Sequence, residues 1–232
     1  MTAVLGRPRL HVRSVDSTSR QARELAAAGA PHGTLVTATE QTAGRGRQGR
    51  TWSAPPGRAL LMSLLLREWP GLLPLAAAAA VAEAVGETAM VKWPNDVQIF
   101  GRKVAGILAE GRPQAGWMIL GIGLNVAVRL EDLPPELRDT AGTLGLAPSA
   151  VEPNLARVID RLQRWLTAPP AAIVAAVRAR DALAGRDVRY GDFTGRAHGI
   201  DDQGRLLVLR ADGVEDVLDA GEVHLTPSSS TD

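Results

Sequence analysis

The spacing between turn signals changes near residue 185, and this change constrains the fold more than any other feature of the chain. Before it, strand-like runs alternate with helical segments; after it, five short strand candidates are separated by Gly-Asp, Asp-Gln-Gly and Asp-Gly turns. Strands this short and closely spaced are typical of a small closed or sandwich-like β module. We therefore predict a larger domain over 1–184, the β module over 185–227 and a frayed tail over 228–232.

Apolar and β-branched runs locate the individual elements. In the larger domain they predict strands at 10–12, 34–39, 59–66, 97–100, 104–110 and 117–124, and helices at 19–28, 72–85, 152–166 and 170–183. In the module they predict strands at 187–190, 194–200, 205–209, 214–218 and 222–225. The Ala-rich helix at 72–85 is too short to span a bilayer and is interrupted by Pro74 and Glu83, so we expect it to be buried.

Charge and cysteine content exclude several classes of function. Twenty-six Lys and Arg face 25 Asp and Glu, a balance that argues against a general nucleic-acid binder. The chain has no cysteine, which excludes disulfides, thiolate metal sites and a cysteine nucleophile. No basic start followed by a long apolar run is present at the N-terminus, so no signal peptide is expected. We predict a cytoplasmic protein without a membrane segment.

Three arginines alternate with glycine in the run Gly44-Arg45-Gly46-Arg47-Gln48-Gly49-Arg50. Glycine lets the backbone approach a ligand closely, and guanidinium forks match carboxylate and phosphate groups. The run therefore predicts an anion clamp that is mobile when empty and ordered when filled. A solvated basic loop or a generic polyanion contact is the alternative.

A second cluster, Lys92-Trp93-Pro94-Asn95-Asp96, combines a cation, an aromatic face, an amide and a carboxylate. Pro94 biases Trp93 toward an extended backbone, so the stretch is predicted to enter a strand. Lysine beside an amide and a carboxylate can hold a nucleotide phosphate with its metal, although Asn95 and Asp96 could also be ordinary turn residues.

Two further segments suggest a pocket beside strands. Lys103 begins an apolar strand, where a charge fits either a pocket wall or a solvated hairpin. Gly121-Ile122-Gly123-Leu124-Asn125 places glycines inside a strand, which weakens the strand unless a ligand or backbone must approach. Neither glycine pattern matches a P-loop or a dinucleotide fingerprint, and both of those folds are excluded.

The order of these motifs resembles the biotin protein ligases over residues 10–227. The resemblance is carried by Asp16-Ser17-Thr18 and by the segments 40–47, 92–96, 101–108 and 121–125. It is closest to the short type, because the winged helix-turn-helix of the repressor-type members is absent ahead of the first strand. It implies an α+β fold in which helices flank a mixed sheet similar to that of class II aminoacyl-tRNA synthetases, followed by an SH3-like β-barrel.

The resemblance also implies a two-step reaction. Biotin and ATP, with Mg²⁺, give biotinyl-adenylate and pyrophosphate, and a lysine on the biotin carboxyl carrier domain of acetyl-CoA or a related carboxylase then takes the biotin. No enzyme nucleophile is needed, in agreement with the missing thiols. The implied partners are the carrier domain and a second copy of the chain, without nucleic acid or membrane; the exposed sheet edge could serve either protein.

Site residues carry over from the family position by position. Ser17, Thr18 and Gln41 are expected at the ureido head of biotin, and Ser19 stands where the family usually has Asn. Arg45, Gly46 and Arg47 are expected to close over biotin, Trp52 to stack on its rings or lie in the core, Gly106 to leave room for it, and Lys103 to meet its carboxyl and phosphoryl oxygens. Lys103, Arg45 and Arg47 are the predicted catalytic residues. The predicted ATP contacts are Arg47, Arg50, Lys92, Trp93, Asn95 and Asn125, with Asp96 orienting Mg²⁺ through water.

Three related or rival functions were weighed against this one. A lipoate protein ligase shares the implied fold and an equivalent lysine, but the Arg/Gly run favours biotin. Octanoyl transferases of the superfamily use a cysteine and are excluded by composition. A biotin-sensing repressor is disfavoured by the balanced charge and the missing DNA-binding segment.

Overall fold

The fold was described from a computed structural model, which covers residues 4–219, 221 and 223–226. The strands are β1 Arg9–Val15, β2 Leu35–Gln41, β3 Ala59–Leu66, β4 Ala89–Lys92, β5 Asp96–Ile99, β6 Arg102–Arg112, β7 Trp117–Asn125, β8 Asp187–Tyr190, β9 Phe193–Ile200, β10 Leu206–Leu209, β11 Glu215–Leu218 and β12 His224–Leu225. The helices are α1 Thr18–Ala27, α2 Leu73–Val85, α3 Val151–Trp165 and α4 Pro170–Arg178.

A seven-stranded mixed sheet forms the larger domain, in the order β1-β2-β3-β7-β6-β5-β4. Only the β1–β2 pairing is parallel among the strand pairs described in this sheet. Every residue of the central strand β3 is buried, because apolar layers cover both faces. Helix α2 packs against α3, α4 and one face, and α1 packs against β2, β3 and β7 on the other.

Successive side chains of a strand point to opposite faces of the sheet, so the side chains of β3 are divided between these two faces. Leu60, Met62 and Leu64 join the core beneath α2. Leu65 joins the apolar cluster around α1, and Leu61 joins a third cluster near Leu133. The face that carries α1 therefore has apolar groups at its two ends and is free to hold a polar site between them.

The helix after residue 169 is shorter than the sequence predicts. It was expected to reach residue 183 but ends at Arg178. The following residues pair with the edge strand instead: Val91 N donates to Arg180 O at 2.7 Å, and Ala182 N donates to Val91 O at 2.9 Å. Covering the open edge of β4 satisfies backbone groups that a longer helix would leave unpaired.

Strand β4 has no counterpart in the sequence prediction. It contains only four residues and pairs with β5 as an antiparallel hairpin, with Lys92 opposite Asp96. The segment 92–96 is therefore the turn of a hairpin and not simply the entry to a strand. Four residues give too short a pattern for the two-residue repeat to be recognised.

The C-terminal module contains five strands in the antiparallel order β11-β10-β9-β8-β12, as predicted. No β11–β12 pairing occurs among the described residues, so closure into an SH3-like barrel stays a prediction, as does the boundary at 184/185. Val188, Leu206 and Val208 belong to the same apolar cluster as the core of the larger domain. The predicted strand residue Glu222 and the predicted tail 228–232 lie outside the described residues. No helix in the described ranges has the length and apolar character to cross a membrane.

Candidate functional site

A cavity of about 370 Å³ opens between α1, the Arg/Gly run and strands β5, β6 and β7. Nearly all of the predicted site residues line it: Ser17, Thr18, Ser19, Gln41, Arg45, Gly46, Arg47, Arg50, Trp52, Lys92, Asn95, Asp96, Lys103, Gly106 and Asn125. These residues come from distant parts of the chain, and the fold brings them to one wall or another of a single cavity. Lys92 and Lys103, which both line it, are the only lysines in the sequence.

One end of the cavity, here called the hydroxyl end, consists of Ser17, Thr18, Ser19, Gln41 and the underlying Ser63. Thr18 donates to Gln41 Oε1 through its backbone N (2.8 Å) and its Oγ1 (2.9 Å). Thr18 Oγ1 also lies 2.8 Å from Ser63 Oγ, which lies 3.0 Å from Ser19 Oγ. All of these groups are neutral, so this end suits a ligand that is recognised by hydrogen bonds and not by charge.

The hydrogen bonds at the hydroxyl end have a fixed direction. The amide oxygen of Gln41 only accepts, so the single Thr18 hydroxyl proton is committed to it. Ser63 must then donate to Thr18, and Ser19 must donate to Ser63. The remaining lone pairs of these hydroxyls can accept from a ligand, while the amide NH₂ of Gln41 can donate to one.

Ser17 occupies the N-cap of α1, as its sequence position predicts, but its hydroxyl makes no capping hydrogen bond. The backbone N–H of Ser17 is bound by Asp16 Oδ1 at 2.7 Å. The Ser17 hydroxyl is thus left for the cavity and not used by the helix.

The opposite, charged end of the cavity is built around the hairpin of β4 and β5. Lys103 Nζ lies 2.7 Å from Asp96 Oδ1. Arg47 Nη1 donates to Asn95 Oδ1 at 2.9 Å, and Asn95 Nδ2 donates to Ile107 O at 2.8 Å. The same Asn95 therefore joins the Arg/Gly run to the sheet. Cations gathered at this end match the phosphates of a nucleotide.

The Arg/Gly run is folded into a tight hairpin that spans the cavity. Gly46 N donates to Arg50 O at 2.7 Å, and Gln48 lies in the left-handed region with φ of 53°. Two of its three cavity arginines are held on different walls, because Arg45 Nη2 lies 3.0 Å from Glu110 Oε1 while Arg47 reaches Asn95. The predicted change from mobile to ordered on ligand binding stays a prediction.

Trp52 lies flat over two glycines of the sheet. A Cβ placed on Gly123 would come within 2.3 Å of the Trp52 ring, and one on Gly106 within 3.0 Å. Lys103 Nζ lies 5.8 Å from the ring centroid, within range of a cation–π contact. The space that was expected beside Gly106 for a ligand is therefore filled by Trp52, whose ring forms part of the cavity wall.

Apart from Asp96 Oδ1, which faces Lys103 Nζ, three polar atoms in the cavity wall are buried with no hydrogen-bond partner among the described residues: Ser17 Oγ, Trp52 Nε1 and Asn125 Oδ1. Asn125 is oriented by the hydrogen bond from its Nδ2 to Gly142 O, at 2.9 Å, so its oxygen faces away from that contact. Buried polar atoms without partners are costly unless a ligand or water satisfies them. These three unpartnered atoms indicate that the cavity binds a polar ligand.

Trp93 is the exception among the predicted site residues, and its assignment to ATP is corrected. It is 2% exposed, is absent from the cavity wall, and donates from Nε1 to Gly204 O in the C-terminal module at 3.0 Å. At the turn between β4 and β5 the side chains of Lys92 and Asn95 reach the cavity, whereas that of Trp93 is buried in the core.

Several residues of the site were missed by the sequence prediction, among them Ser63, Glu110 and His224. Ser63 is the single hydroxyl in the otherwise apolar strand β3, a signal that could have been noticed. Glu110 is the single carboxylate of β6. His224 reaches the cavity wall from β12 of the C-terminal module, and nothing in the local sequence indicates this contact.

No group of three or more carboxylates and histidines able to hold a metal occurs among the described residues. Asp96 alone fits the predicted role near Mg²⁺, and it already faces Lys103. Mg²⁺ commonly keeps several waters and binds one or two carboxylates together with substrate phosphates. The site therefore fits a metal that arrives with a nucleotide and not one held by protein alone.

Comparison with known proteins places this site in a family. The sequence profile of the Biotin/lipoate A/B protein ligase family matches residues 12–126, and that of the Biotin protein ligase C terminal domain matches 185–225. The biotin–[acetyl-CoA-carboxylase] ligase of Mycobacterium tuberculosis is 38% identical, with 92% of this chain and 88% of that protein covered. The bifunctional ligase/repressor BirA of Bacillus spizizenii is 36% identical, with 94% of this chain and 74% of that protein covered.

Solved structures agree with the sequence relatives. The biotin protein ligase from Aquifex aeolicus in complex with biotin and ATP superposes with a TM-score of 0.79, at 30% identity, covering 95% of this chain and 99% of that one. The predicted fold class, a mixed sheet with flanking helices followed by a C-terminal antiparallel sheet, is thereby confirmed. The chain belongs to the biotin protein ligase family.

Proposed function

We propose that the protein joins biotin to ATP, forming biotinyl-adenylate, and transfers the biotin to a lysine of a biotin carboxyl carrier domain. The observation that carries this proposal is one cavity with a neutral hydroxyl end and a cationic end, bridged by the Arg/Gly hairpin. A ureido group has both N–H donors and a carbonyl acceptor, and the hydroxyl end offers both complements. The dithiolane of lipoate has neither.

In the first step, a biotin carboxylate oxygen attacks the α-phosphorus of ATP, and pyrophosphate leaves. Negative charge accumulates on the phosphoryl oxygens, where preorganised cations stabilise it. Lys103 is the residue we assign to these oxygens and to the biotin carboxylate, because it lines the cavity beside the Trp52 ring and is held by Asp96. Arg47, held by Asn95, is assigned to the same phosphate.

In the second step, the amine of the carrier lysine attacks the acyl carbon, AMP leaves, and an amide forms with loss of a proton from nitrogen. The mixed anhydride must survive in the cavity until the carrier docks, which requires exclusion of water. The Arg/Gly hairpin, with Arg45 and Arg50 in the wall, is the segment we assign to this closure.

ATP and its metal are assigned to the charged end. Lys92, Asn95 and the unpartnered Asn125 Oδ1 are the proposed contacts to the nucleotide. Mg²⁺ would neutralise phosphate charge there, with Asp96 as the nearest carboxylate to its water shell.

The outer edge of β1 is the proposed protein-binding edge. It ends the seven-stranded sheet, and its residues are mostly exposed, whereas residues 180–182 cover β4 at the other edge. An extended edge can pair with a second copy or with the carrier domain. Sedimentation of the protein with and without carrier would distinguish these two uses. We propose a reducing cytoplasm as its compartment, consistent with a chain that lacks cysteine.

The activity is tested by incubating a carrier domain with biotin, MgATP and the protein and measuring the intact mass of the carrier. We expect one biotinyl addition, lost when the carrier's acceptor lysine is replaced by arginine. ATP–pyrophosphate exchange with biotin or with lipoate forms the matched control. Exchange supported by lipoate and not by biotin would overturn the assignment.

A further inference from the structure

Trp93 is the part of the 92–96 turn that the proposed function leaves without a role. Its neighbours Lys92 and Asn95 line the cavity, whereas its own indole is buried against the C-terminal module. The donor–acceptor distance from Trp93 Nε1 to Gly204 O is 3.0 Å, and the bond is fully buried. A buried indole N–H needs a partner, and here the partner belongs to a different sheet of the molecule.

The segment that accepts this bond is itself rigid. Asp201 Oδ1 accepts from Gln203 N and Arg205 N, both at 2.9 Å, which fixes the turn between β9 and β10. Gly204 has φ of +78°, and a Cβ there would lie 2.8 Å from Leu75 Cδ1 at the start of α2. The turn is thus seated between Trp93 and α2 with no room for a side chain.

A second contact holds the same turn from α4. Arg178 Nε donates to Ile200 O at 2.6 Å, and its Nη2 lies 2.8 Å from Asp202 Oδ1. The C-terminal module is therefore docked at this turn by two separate residues, of which only Trp93 adjoins the cavity.

On the cavity side, the residues that follow Trp93 hold the charged end together. Asn95 binds Ile107 through both its backbone O (2.9 Å) and its Nδ2 (2.8 Å), and it accepts from Arg47. Asp96 lies beside Lys103. A shift of Trp93 would move Asn95 and Asp96 with it, because one Pro peptide unit separates the indole from the first of them.

We propose that Trp93 is a positioning residue through which the β9–β10 turn of the C-terminal module fixes the nucleotide end of the cavity. This inference rests on the proposed function for its kinetic consequence, but the mechanical coupling does not depend on it. The hydroxyl end is attached to α1 and β3 and has no contact with this turn among the described residues. Loss of the coupling should therefore weaken ATP binding and leave biotin binding unchanged.

The test compares Trp93→Phe, which keeps an apolar ring and removes the donor, with the wild type. We expect the KM for ATP in pyrophosphate exchange to rise about tenfold, since a displacement of about 1 Å in a reacting geometry can cost up to about a hundredfold. The Kd for biotin, measured by calorimetry, should stay within about twofold of the wild type. An equal loss for both ligands would indicate general loosening and overturn the proposal.

The contact between Trp93 and the β9–β10 turn can also be broken by a substitution in the turn. Gly204→Ala introduces a Cβ against Leu72 and Leu75, whereas Gly213→Ala, at the similar φ of +83°, meets nothing within 4 Å. We expect the first variant to reproduce the ATP-selective defect and the second to be neutral in exchange. The double variant Trp93→Phe/Gly204→Ala should be no worse than the poorer single variant, and additive losses would contradict a shared contact.

Hydrogen exchange separates this inference from the proposed function. The Ile107 amide, which donates to Asn95 O, should exchange faster in both Trp93→Phe and Gly204→Ala, whether or not the protein adenylates biotin. Unchanged protection of Ile107 in two folded variants would refute the coupling. Wild-type protein inactive with biotin and ATP, together with increased exchange at Ile107, would refute the proposed function alone.

Discussion

The hydroxyl end and the charged end of the cavity are held in place by different means. At the hydroxyl end, four neutral side chains bind one another, and one of them, the buried Ser63, supports the others from within β3. At the charged end, two cations are paired with groups on the β4–β5 hairpin, Lys103 with Asp96 and Arg47 with Asn95. The hydroxyl end is preorganised by the core of the sheet, whereas the charged end depends on the β4–β5 hairpin, the Arg/Gly hairpin and the C-terminal module. We therefore expect a substitution at the hydroxyl end to weaken binding of biotin and one at the charged end to weaken binding of ATP.

Removing Lys103 from the charged end should produce the largest effect. We expect Lys103→Ala to slow biotin-dependent pyrophosphate exchange about 100- to 1000-fold, the range for losing one charge-stabilising donor. The neighbouring exposed Arg102→Ala is the matched control and should leave the rate near that of the wild type. Circular dichroism would establish that both variants are folded. Exchange at a near-normal rate in folded Lys103→Ala would remove this residue from the reaction.

Releasing the hairpin from the charged end should separate formation of the adenylate from its retention. Arg47→Gly loses the bond to Asn95, so we expect some adenylation to persist while biotinyl-adenylate dissociates about 10- to 100-fold faster, a range typical of losing a charged hydrogen bond. The escaping anhydride should label lysines of a bystander protein, measured by mass spectrometry. Arg47→Lys keeps the charge without the planar fork, so its rate of biotinyl-adenylate release should lie between those of the wild type and Arg47→Gly. Normal retention of the intermediate in Arg47→Gly would contradict the assignment.

Breaking the hydroxyl end should affect biotin alone. Ser63→Ala removes a fully buried hydroxyl that donates to Thr18 and accepts from Ser19, at a cost of about 1 kcal/mol, or about fivefold in the Kd for biotin. The KM for ATP should not change. Ser149→Ala, an exposed serine before α3, serves as the control. A matching loss in ATP binding would mean that the two ends are not independent.

Salt should have the smallest effect and should act on the charged end only. Between about 0.1 M and about 1 M ionic strength the Debye length falls from about 10 Å to about 3 Å. Because Lys103 is 34% exposed, we expect the KM for ATP to rise about two- to fivefold, as for partly screened pairs. Binding of biotinamide, which lacks the carboxylate, should be insensitive to salt. An equal salt dependence of ATP and biotinamide binding would contradict the assignment of charge to one end of the cavity.

The local sequence indicated the Arg/Gly hairpin because its residues are close in the chain and unusual in type, whereas Ser17, Thr18, Ser19 and Gln41 were assigned from the family resemblance. Thr18 and Gln41 were placed correctly in the cavity, as were Lys103 and Asn125. The direction of Trp93 could not be predicted, because β4 was not recognised and the hairpin turn that follows it was therefore unknown. A tryptophan beside a lysine is equally compatible with a base-stacking surface and with a core contact.

Long-range partners account for the other omissions. Glu110 pairs with Arg45 across 65 positions of sequence, and Ser63 lies behind Thr18 only because β3 pairs with β2 in one particular register. Such contacts depend on sheet order, which local patterns do not specify. Similarly, the space beside Gly106 was predicted, but its occupant, Trp52, depends on how the Arg/Gly hairpin folds back over the sheet.

Both lysines of the chain line the cavity, and this has a practical consequence for measurement. Activated esters acylate amines to stable amides, whereas their adducts on the four histidines hydrolyse, and guanidinium groups stay protonated and unreactive. Intact mass after brief treatment with such a reagent should therefore report on the α-amine and on two cavity positions alone. If biotin or ATP protects Lys92 or Lys103 from acylation, the lysine that is protected shows which part of the cavity that substrate occupies.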